Sequence, residues 1–438
     1  MSGNTNEPRP HGFETLAIHA GASPDEKTGA RNVPIYQTTA YVFDDSDHAA
    51  SLFNLQTFGY IYSRLTNPTV SALEEKVAAL EDGRGAVACA SGHAAQMLAM
   101  FVLMNPGDNF VASRNLYGGS VTQFAHTFKK FDWHVNFVDP ADPENFRNAI
   151  DRKTKAIFLE VLANPGGIIV DLEPIAMIAK EAGIPLIVDN TMATPYLCRP
   201  FDWGADISIH SMTKFLGGHG TSMGGIVVES GNFDWAQNDK FPSMSEPDPA
   251  YHGLTFYETF GDFGFSTKAK AVALRDLGPT LAPQNAFNIL TGIESLPVRM
   301  DRHLENGQAV AEFLERHPAV AWVSYAGLKS SPYHALAKKY LPKGPGSVFT
   351  FGLKGGYEAG VRAVESVELL SHLANLGDTR SLIIHPASTT HRQLTEDQQI
   401  ASGAGPDVVR LSIGLETLDD IIADLDQALS YAQKKVSE

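Results

Sequence analysis

Between residues 86 and 228, short apolar runs alternate with longer stretches whose apolar residues recur every three or four positions. The runs fall at 86–90, 109–113, 134–138, 155–161, 184–189, 206–210 and 224–228. Helical spacing fills most of the gaps, as at 93–104, 118–130 and 172–182. Segments such as Leu186-Ile-Val188 are apolar at consecutive positions, as expected of parallel strands covered on both faces. This alternation predicts an α/β fold built on a mostly parallel seven-stranded sheet. No helical pattern separates 206–210 from 224–228, so the last strand is expected to run antiparallel.

The flanking regions follow other rhythms. Residues 1–65 carry turn-forming clusters and little periodicity and read as an N-terminal arm. Asn67-Pro68 starts a helical pattern over 71–80. Residues 231–280, rich in Pro, Gly and aromatics, read as an inserted loop region. A long helical stretch over 284–316 follows, with Pro297 expected to kink it. Strand patterns at 320–325, 347–352, 381–385 and 408–413 and helical ones at 358–374 and 418–435 predict a smaller α+β unit. The expected division is an arm (1–65), a large domain (66–282) and a C-terminal small domain (283–438). Neither an internal repeat nor a low-complexity segment interrupts the chain.

Composition narrows the class. Of 438 residues, 43% are hydrophobic and 19% charged, enough apolar material for a large core. The polar N-terminus lacks the apolar core of a signal peptide, and no apolar run could span a membrane. Two cysteines, Cys89 and Cys198, rule out a disulfide framework and suit a reducing cytoplasm. A net charge of −16 without a basic run argues against nucleic acid or anionic membranes as partners.

The candidate chemistry centres on Ser208-Ile-His-Ser-Met-Thr-Lys214-Phe-Leu-Gly-Gly-His-Gly220. A lysine here follows an apolar strand and precedes a glycine-rich loop, with hydroxyls at Ser211 and Thr213. Upstream, the strand Pro185-Leu-Ile-Val-Asp189 ends in a carboxylate. A lysine for an imine, an aspartate to keep a ring nitrogen protonated and hydroxyls for a phosphate are what pyridoxal 5′-phosphate (PLP) requires. Each also has an ordinary reading, as a solvated loop lysine or a strand-end turn residue. Ser91-Gly-His-Ala-Ala95 follows a strand and opens a helix, where free amides suit a phosphate. Tyr117, before Gly118-Gly119, could lie on a pyridine ring. Tyr62 and Arg64 could clamp a phosphate. Arg410 lies between apolar residues in a strand and needs an anionic partner, either a substrate carboxylate or Glu416. His210, His219, His385 and His391 match no compact metal motif, so no metal is expected. Gly83-Arg-Gly85 precedes its strand and so fails as a dinucleotide fingerprint. A dinucleotide-dependent oxidoreductase and a non-catalytic α/β binding protein remain the readings from other classes.

Taken together, these segments resemble the Cys/Met-metabolism family of PLP enzymes, a fold-type-I group, and within it the branch that sulfhydrylates O-acetylhomoserine. The resemblance covers nearly the whole chain. It rests on Glu14-Thr-Leu-Ala-Ile-His-Ala-Gly21, Tyr62-Ser-Arg-Leu-Thr-Asn-Pro68, Ser91-Gly-His-Ala-Ala95, Val188-Asp-Asn-Thr191, Ser211-Met-Thr-Lys214 and the run from Gly377 to His391. It implies that Lys214 is the imine lysine, Asp189 the pyridine-nitrogen partner and Tyr117 the stacking ring and proton helper. It implies that the Gly92 and His93 amides, Ser211 and Thr213 bind the phosphate, with Tyr62 and Arg64 arriving from a second subunit. Asn164 is implied to face the cofactor's 3-oxygen. Arg410, helped by Ser381, would hold the substrate carboxylate. The implied reaction is γ-replacement on O-acetyl-L-homoserine by sulfide or methanethiol in a cytoplasmic homotetramer. Cystathionine γ-synthase or methionine γ-lyase activity is the alternative. Gly119 stands where methionine γ-lyases carry cysteine, and His93 where many relatives carry methionine.

Overall fold

The computed structural model describes residues 11–163, 167–393, 395–401 and 403–434. The predicted runs become strands β1 Gly85–Cys89, β2 Asn109–Ser113, β3 His134–Val138, β4 Thr154–Glu160, β5 Leu186–Asp189, β6 Ile207–Ser211 and β7 Gly225–Glu229. They form one seven-stranded sheet in the order β1-β7-β6-β5-β4-β2-β3. β2, β3, β4, β5 and β6 pair in parallel, while β7 runs antiparallel to both β1 and β6. The thirteen residues between β6 and β7 form no helix, so there is no crossover unit and the chain turns back. Every residue of β2, β4 and β7 is buried, as consecutive apolar positions require when both faces are covered.

A second sheet holds β8 Val320–Ser324, β9 Val348–Leu353, β10 Ser371–His372, β11 Leu382–Ile384 and β12 Val408–Ser412, in the order β8-β9-β12-β11-β10. It has its own apolar core around Phe349, Phe351, Val409 and Leu411. The helices used below are α1 Phe13–His19, α2 Ser46–Phe53, α3 Pro68–Glu81, α4 Gly92–Leu103, α5 Leu172–Ala182, α6 Pro283–Glu294, α7 Leu296–Arg316, α8 Gly356–Glu365 and α9 Leu418–Lys434. α7 belongs to both cores: Leu296 and Met300 pack in the large one, Val310 and Leu314 in the small one.

Four expectations change. The arm contains two helices, α1 and α2. The buried Lys76 ammonium on α3 donates to the carbonyls of Ala17 and Ile18 near the end of α1. It satisfies acceptors that the helix end would otherwise leave bare. The stretch 284–316 is two helices broken at Ser295 rather than one kinked helix. Pro297 lies in the first turn of α7, where its missing N–H costs nothing. The aromatic-rich region is helical from Phe256 to Phe260 and again from Gly264 to Leu277. Trp235 stacks on Phe265 there and Tyr251 packs edge-on to Phe256, tertiary contacts that local composition does not announce. Finally, the helix expected over 358–374 stops at Glu365, and the chain re-enters the small sheet as β10.

Cys89 and Cys198 are free and buried, and burial pushes the Cys89 thiol up to about 12, so it packs as a small hydrophobe. Among the described residues no helix is long and apolar enough to cross a membrane.

Candidate active site

The carboxyl ends of the parallel strands lie at one edge of the sheet, the usual ligand position in open α/β sheets. β5 delivers Asp189 there, β6 delivers Ser211, and β1 leads through Ser91 into α4. Ser91 caps α4 by accepting from the Ala94 amide at 3.2 Å. The amides of Gly92 and His93, in the first turn, have no partner within the helix by construction. Gly92 is required at this point. A Cβ on it would lie 2.8 Å from the Ser211 Cβ, so only glycine lets the helix start approach β6. A concave edge of free amides beside a hydroxyl is an anion cradle.

Asp189 accepts from the Thr191 amide at 3.0 Å and from the Gln96 side chain at 3.4 Å. Ser120 accepts a second bond from Gln96, at 2.9 Å. The carboxylate is thereby oriented from two sides. Tyr117 follows β2; its amide donates to buried Glu160 at 2.7 Å, and its half-exposed ring packs edge-on to His93 at 5.8 Å between centroids.

Lys214 turns inward just after β6. Its ammonium donates to the Asn375 side-chain oxygen at 2.6 Å, and the Arg410 guanidinium donates to the Asn375 main-chain carbonyl at 3.1 Å. Burial, with a smaller contribution from Arg410, brings the Lys214 amine down to about 8. Arg410 sits in β12 opposite Thr350 of β9 and Ile384 of β11. Burial lowers its pKa, and the nearby Tyr117 phenol opposes that shift. His391, whose Nδ1 shares a 2.9 Å hydrogen bond with the Thr390 hydroxyl, is held below the usual imidazole range by burial and then by the Arg410 charge.

The structure therefore brings Lys214, Asp189, Ser211, Gly92, His93, Tyr117 and Arg410 to one place. The other expected residues behave differently. Thr213 is present, but its hydroxyl donates to Gly224 O and accepts from Gly224 N, so it would exchange one of these bonds to serve a phosphate. Asn164 lies outside the described residues. Tyr62 and Arg64 are exposed in the arm, the guanidinium 5.3 Å from the Tyr62 ring centroid, and hydrogen-bond to none of the cradle residues among those described. Ser381 requires a correction. It is wholly buried, its amide and hydroxyl both donate to Glu416, and its hydroxyl accepts from the Gly414 amide. With every donor committed, it braces the segment after β12 and leaves nothing to offer a substrate carboxylate. The same bonds occupy the Glu416 carboxylate, the alternative partner considered for Arg410.

Asn375 is the residue that the sequence did not reveal. Its place between turn-forming neighbours gives no signal, and only the fold puts it between Lys214 and Arg410. Asn375→Ala is expected to lower kcat about tenfold with a smaller change in KM, because alanine keeps the carbonyl that holds Arg410. An unchanged kcat in steady-state assays would remove Asn375 from the site.

Three of the four histidines singled out by spacing lie elsewhere. His210 is buried and bonded to Glu81, His219 donates to Gly217 O and His385 to Pro406 O. Among the described residues no group of three or more His, Cys, Asp or Glu could hold a metal ion.

A half-buried lysine of lowered basicity, a strand-end aspartate and a helix-start cradle on a doubly covered parallel sheet define a PLP-binding α/β enzyme. The chain matches the family model described as Cys/Met metabolism PLP-dependent enzyme over residues 14–430. It belongs to that family, and its cofactor is PLP. It is 51% identical to O-acetyl-L-homoserine sulfhydrylase of Leptospira meyeri, over 98% of this chain and 99% of that protein. It is 50% identical to O-acetyl-L-homoserine sulfhydrylase 1 of Thermus thermophilus, over 95% and 100%. A Campylobacter jejuni protein assigned as a candidate O-acetylhomoserine (thiol)-lyase has a crystal structure that superposes with a TM-score of 0.93 at 44% identity, covering 96% of this chain and all of that one. That structure contains N′-pyridoxyl-lysine-5′-monophosphate.

Proposed function

We propose that this enzyme replaces the acetate of O-acetyl-L-homoserine with sulfide or methanethiol, releasing homocysteine or methionine. The observation that carries the reading is the Lys214–Asn375–Arg410 line, which puts a base of lowered pKa beside a fixed guanidinium. A substrate whose carboxylate rests on Arg410 presents its Cα to Lys214. PLP, attached through Lys214, supplies the electron sink for the negative charge that develops at Cα. Asp189 keeps the ring nitrogen protonated, and Tyr117 covers the ring. The Gly92 and His93 amides, with Ser211 and Thr213, hold the phosphate. Once the substrate amine has displaced it, Lys214 takes the proton from Cα, and Tyr117 assists proton movement near the leaving group.

The packing around Gly119 favours replacement over the lyase alternative. A Cβ there would lie 2.5 Å from the Tyr117 ring and 2.8 Å from the His93 ring, so a cysteine would push both rings from these positions. Steady-state assays should compare acetyl with succinyl homoserine, each with sulfide, methanethiol and cysteine. Preference for the succinyl ester, or for cysteine, would replace this reading with cystathionine synthesis.

The arm supports a shared site. Val42, Phe53 and Phe58 are 96%, 59% and 75% exposed, too much apolar surface for one protomer's flank. A cavity of about 610 Å³ is lined by Leu52, Phe53, Phe58, Tyr60 and Lys270. A second copy would cover this surface and receive Tyr62 and Arg64 at its phosphate. The reading is thus a dimer at least, a homotetramer in the full form, working in the cytoplasm. Arg64→Ala and Lys214→Ala subunits, each inactive, should regain activity when mixed and refolded, because one hybrid site carries neither change. Confirmed hybrid dimers with no recovery would refute shared sites.

A further inference from the structure

Arg299 is the most unusual charge outside the site. It is 5% exposed, and among the described residues it forms no ion pair; instead it donates to Phe215 O at 2.9 Å, Gly292 O at 2.7 Å and Leu216 O at 3.4 Å. Its Nε donates to the Ser295 hydroxyl. Burying a guanidinium on neutral acceptors is costly, and burial alone brings its pKa down to about 10. Phe215 and Leu216 are the two residues after Lys214. Gly218, with φ +72°, closes this turn by donating to Lys214 O at 2.7 Å. A Cβ there would sit 2.1 Å from the guanidinium, so Arg299 lies directly on the lysine's loop.

The same face of α7 holds the other half of the site. His303 stands one turn on, edge-on to Phe215 at 5.1 Å, and its Nδ1 donates to Ile413 O at 2.7 Å. Asn306 donates to Gly414 O and Glu416 O, both at 3.0 Å. Residues 299, 303 and 306 form one stripe at helical spacing, about 10 Å long. One end grips the loop leaving Lys214, and the other grips the segment leaving the strand of Arg410. Because α7 packs in both apolar cores, it is a rigid spacer between them.

We propose that Arg299, His303 and Asn306 are positioning residues that set the separation of Lys214 from Arg410. The substrate's Cα must meet the lysine while its carboxylate is held, and an error near 1 Å in that span costs about a hundredfold in rate. The inference rests on the roles given to Lys214 and Arg410 above.

Each end of the stripe should produce its own kinetic signature in the holoenzyme. R299M is expected to lower kcat roughly tenfold to a hundredfold with KM changed less than about threefold, and to weaken PLP retention about tenfold. N306L is expected to raise KM for O-acetylhomoserine about tenfold, with kcat and PLP retention near wild type. R299K keeps the charge and some of the bonds, so it should recover part of the loss, and it serves if R299M is insoluble. Equal losses of kcat, KM and melting temperature in both variants would mark a purely structural helix and overturn the proposal. So would wild-type constants in either one. Borohydride labelling of a lysine other than 214 in wild-type enzyme would instead sink the site reading on which the stripe depends.

Discussion

Lys214→Ala is expected to lower turnover by roughly a thousandfold or more, because the proposed attachment point of the cofactor and the proposed base at Cα vanish together. The variant should still fold and bind PLP through the helix-start cradle, since Gly92, His93 and Ser211 do not depend on the amine. In the wild type, the free Lys214 amine loses its proton near pH 8, burial having lowered it from the ordinary lysine value of 10.5. The proposed base is the neutral amine. Activity should therefore rise through about pH 8 and fall below it, the acid limb reporting protonation of Lys214. Borohydride reduction and peptide mapping should find pyridoxyl on Lys214. Label elsewhere, or an acid limb unmoved when the amine is replaced and rescued with added small amines, would refute the assignment.

Arg410→Ala should cost about 2–5 kcal/mol in kcat/KM, the range for breaking a buried charge pair. Arg410→Lys should raise KM more than it lowers kcat, because a lysine keeps the charge and loses the two parallel bonds a carboxylate accepts. Ser381 bears on the stability side of this test. It already donates twice to Glu416, so removing Arg410 does not orphan that carboxylate. If Arg410 serves the substrate, the binding term should move more than the melting temperature. An unchanged KM with a large drop in melting temperature would make Arg410 part of the scaffold.

These two residues were legible in the sequence because each violates a local rule. Arg410 is a charge inside an apolar strand, and Lys214 joins a strand, two hydroxyls and a glycine loop within a few residues. Asp189 ends a strand whose apolar run is unmistakable. The strands of the large sheet were legible for a related reason: a strand buried on both faces must be apolar at consecutive positions, and that constraint is written in four to seven neighbouring residues. The reversal of β7 followed from the absence of a helical pattern before it.

The arm helices, the break at Ser295 and the helices after Phe256 were not legible. Short helices there depend on what they pack against, as α1 depends on Lys76. Asn375 and Ser381 were missed or misassigned because an amide and a hydroxyl have no fixed chemistry until their partners are known. Asn375 meets Lys214 across 161 residues of chain, and Arg299 meets Phe215 across 84. On an amphipathic helix Arg299 reads as a solvated charge, and only tertiary packing turns it inward.

The sequence by itself thus determined the sheet and singled out Lys214, Asp189 and Arg410, since each is a short-range pattern of polarity. The tertiary structure alone decided which polar groups between them are committed and which are available. Hydrogen-bond partners of buried side chains are set by distances between remote segments, and no local pattern encodes those distances.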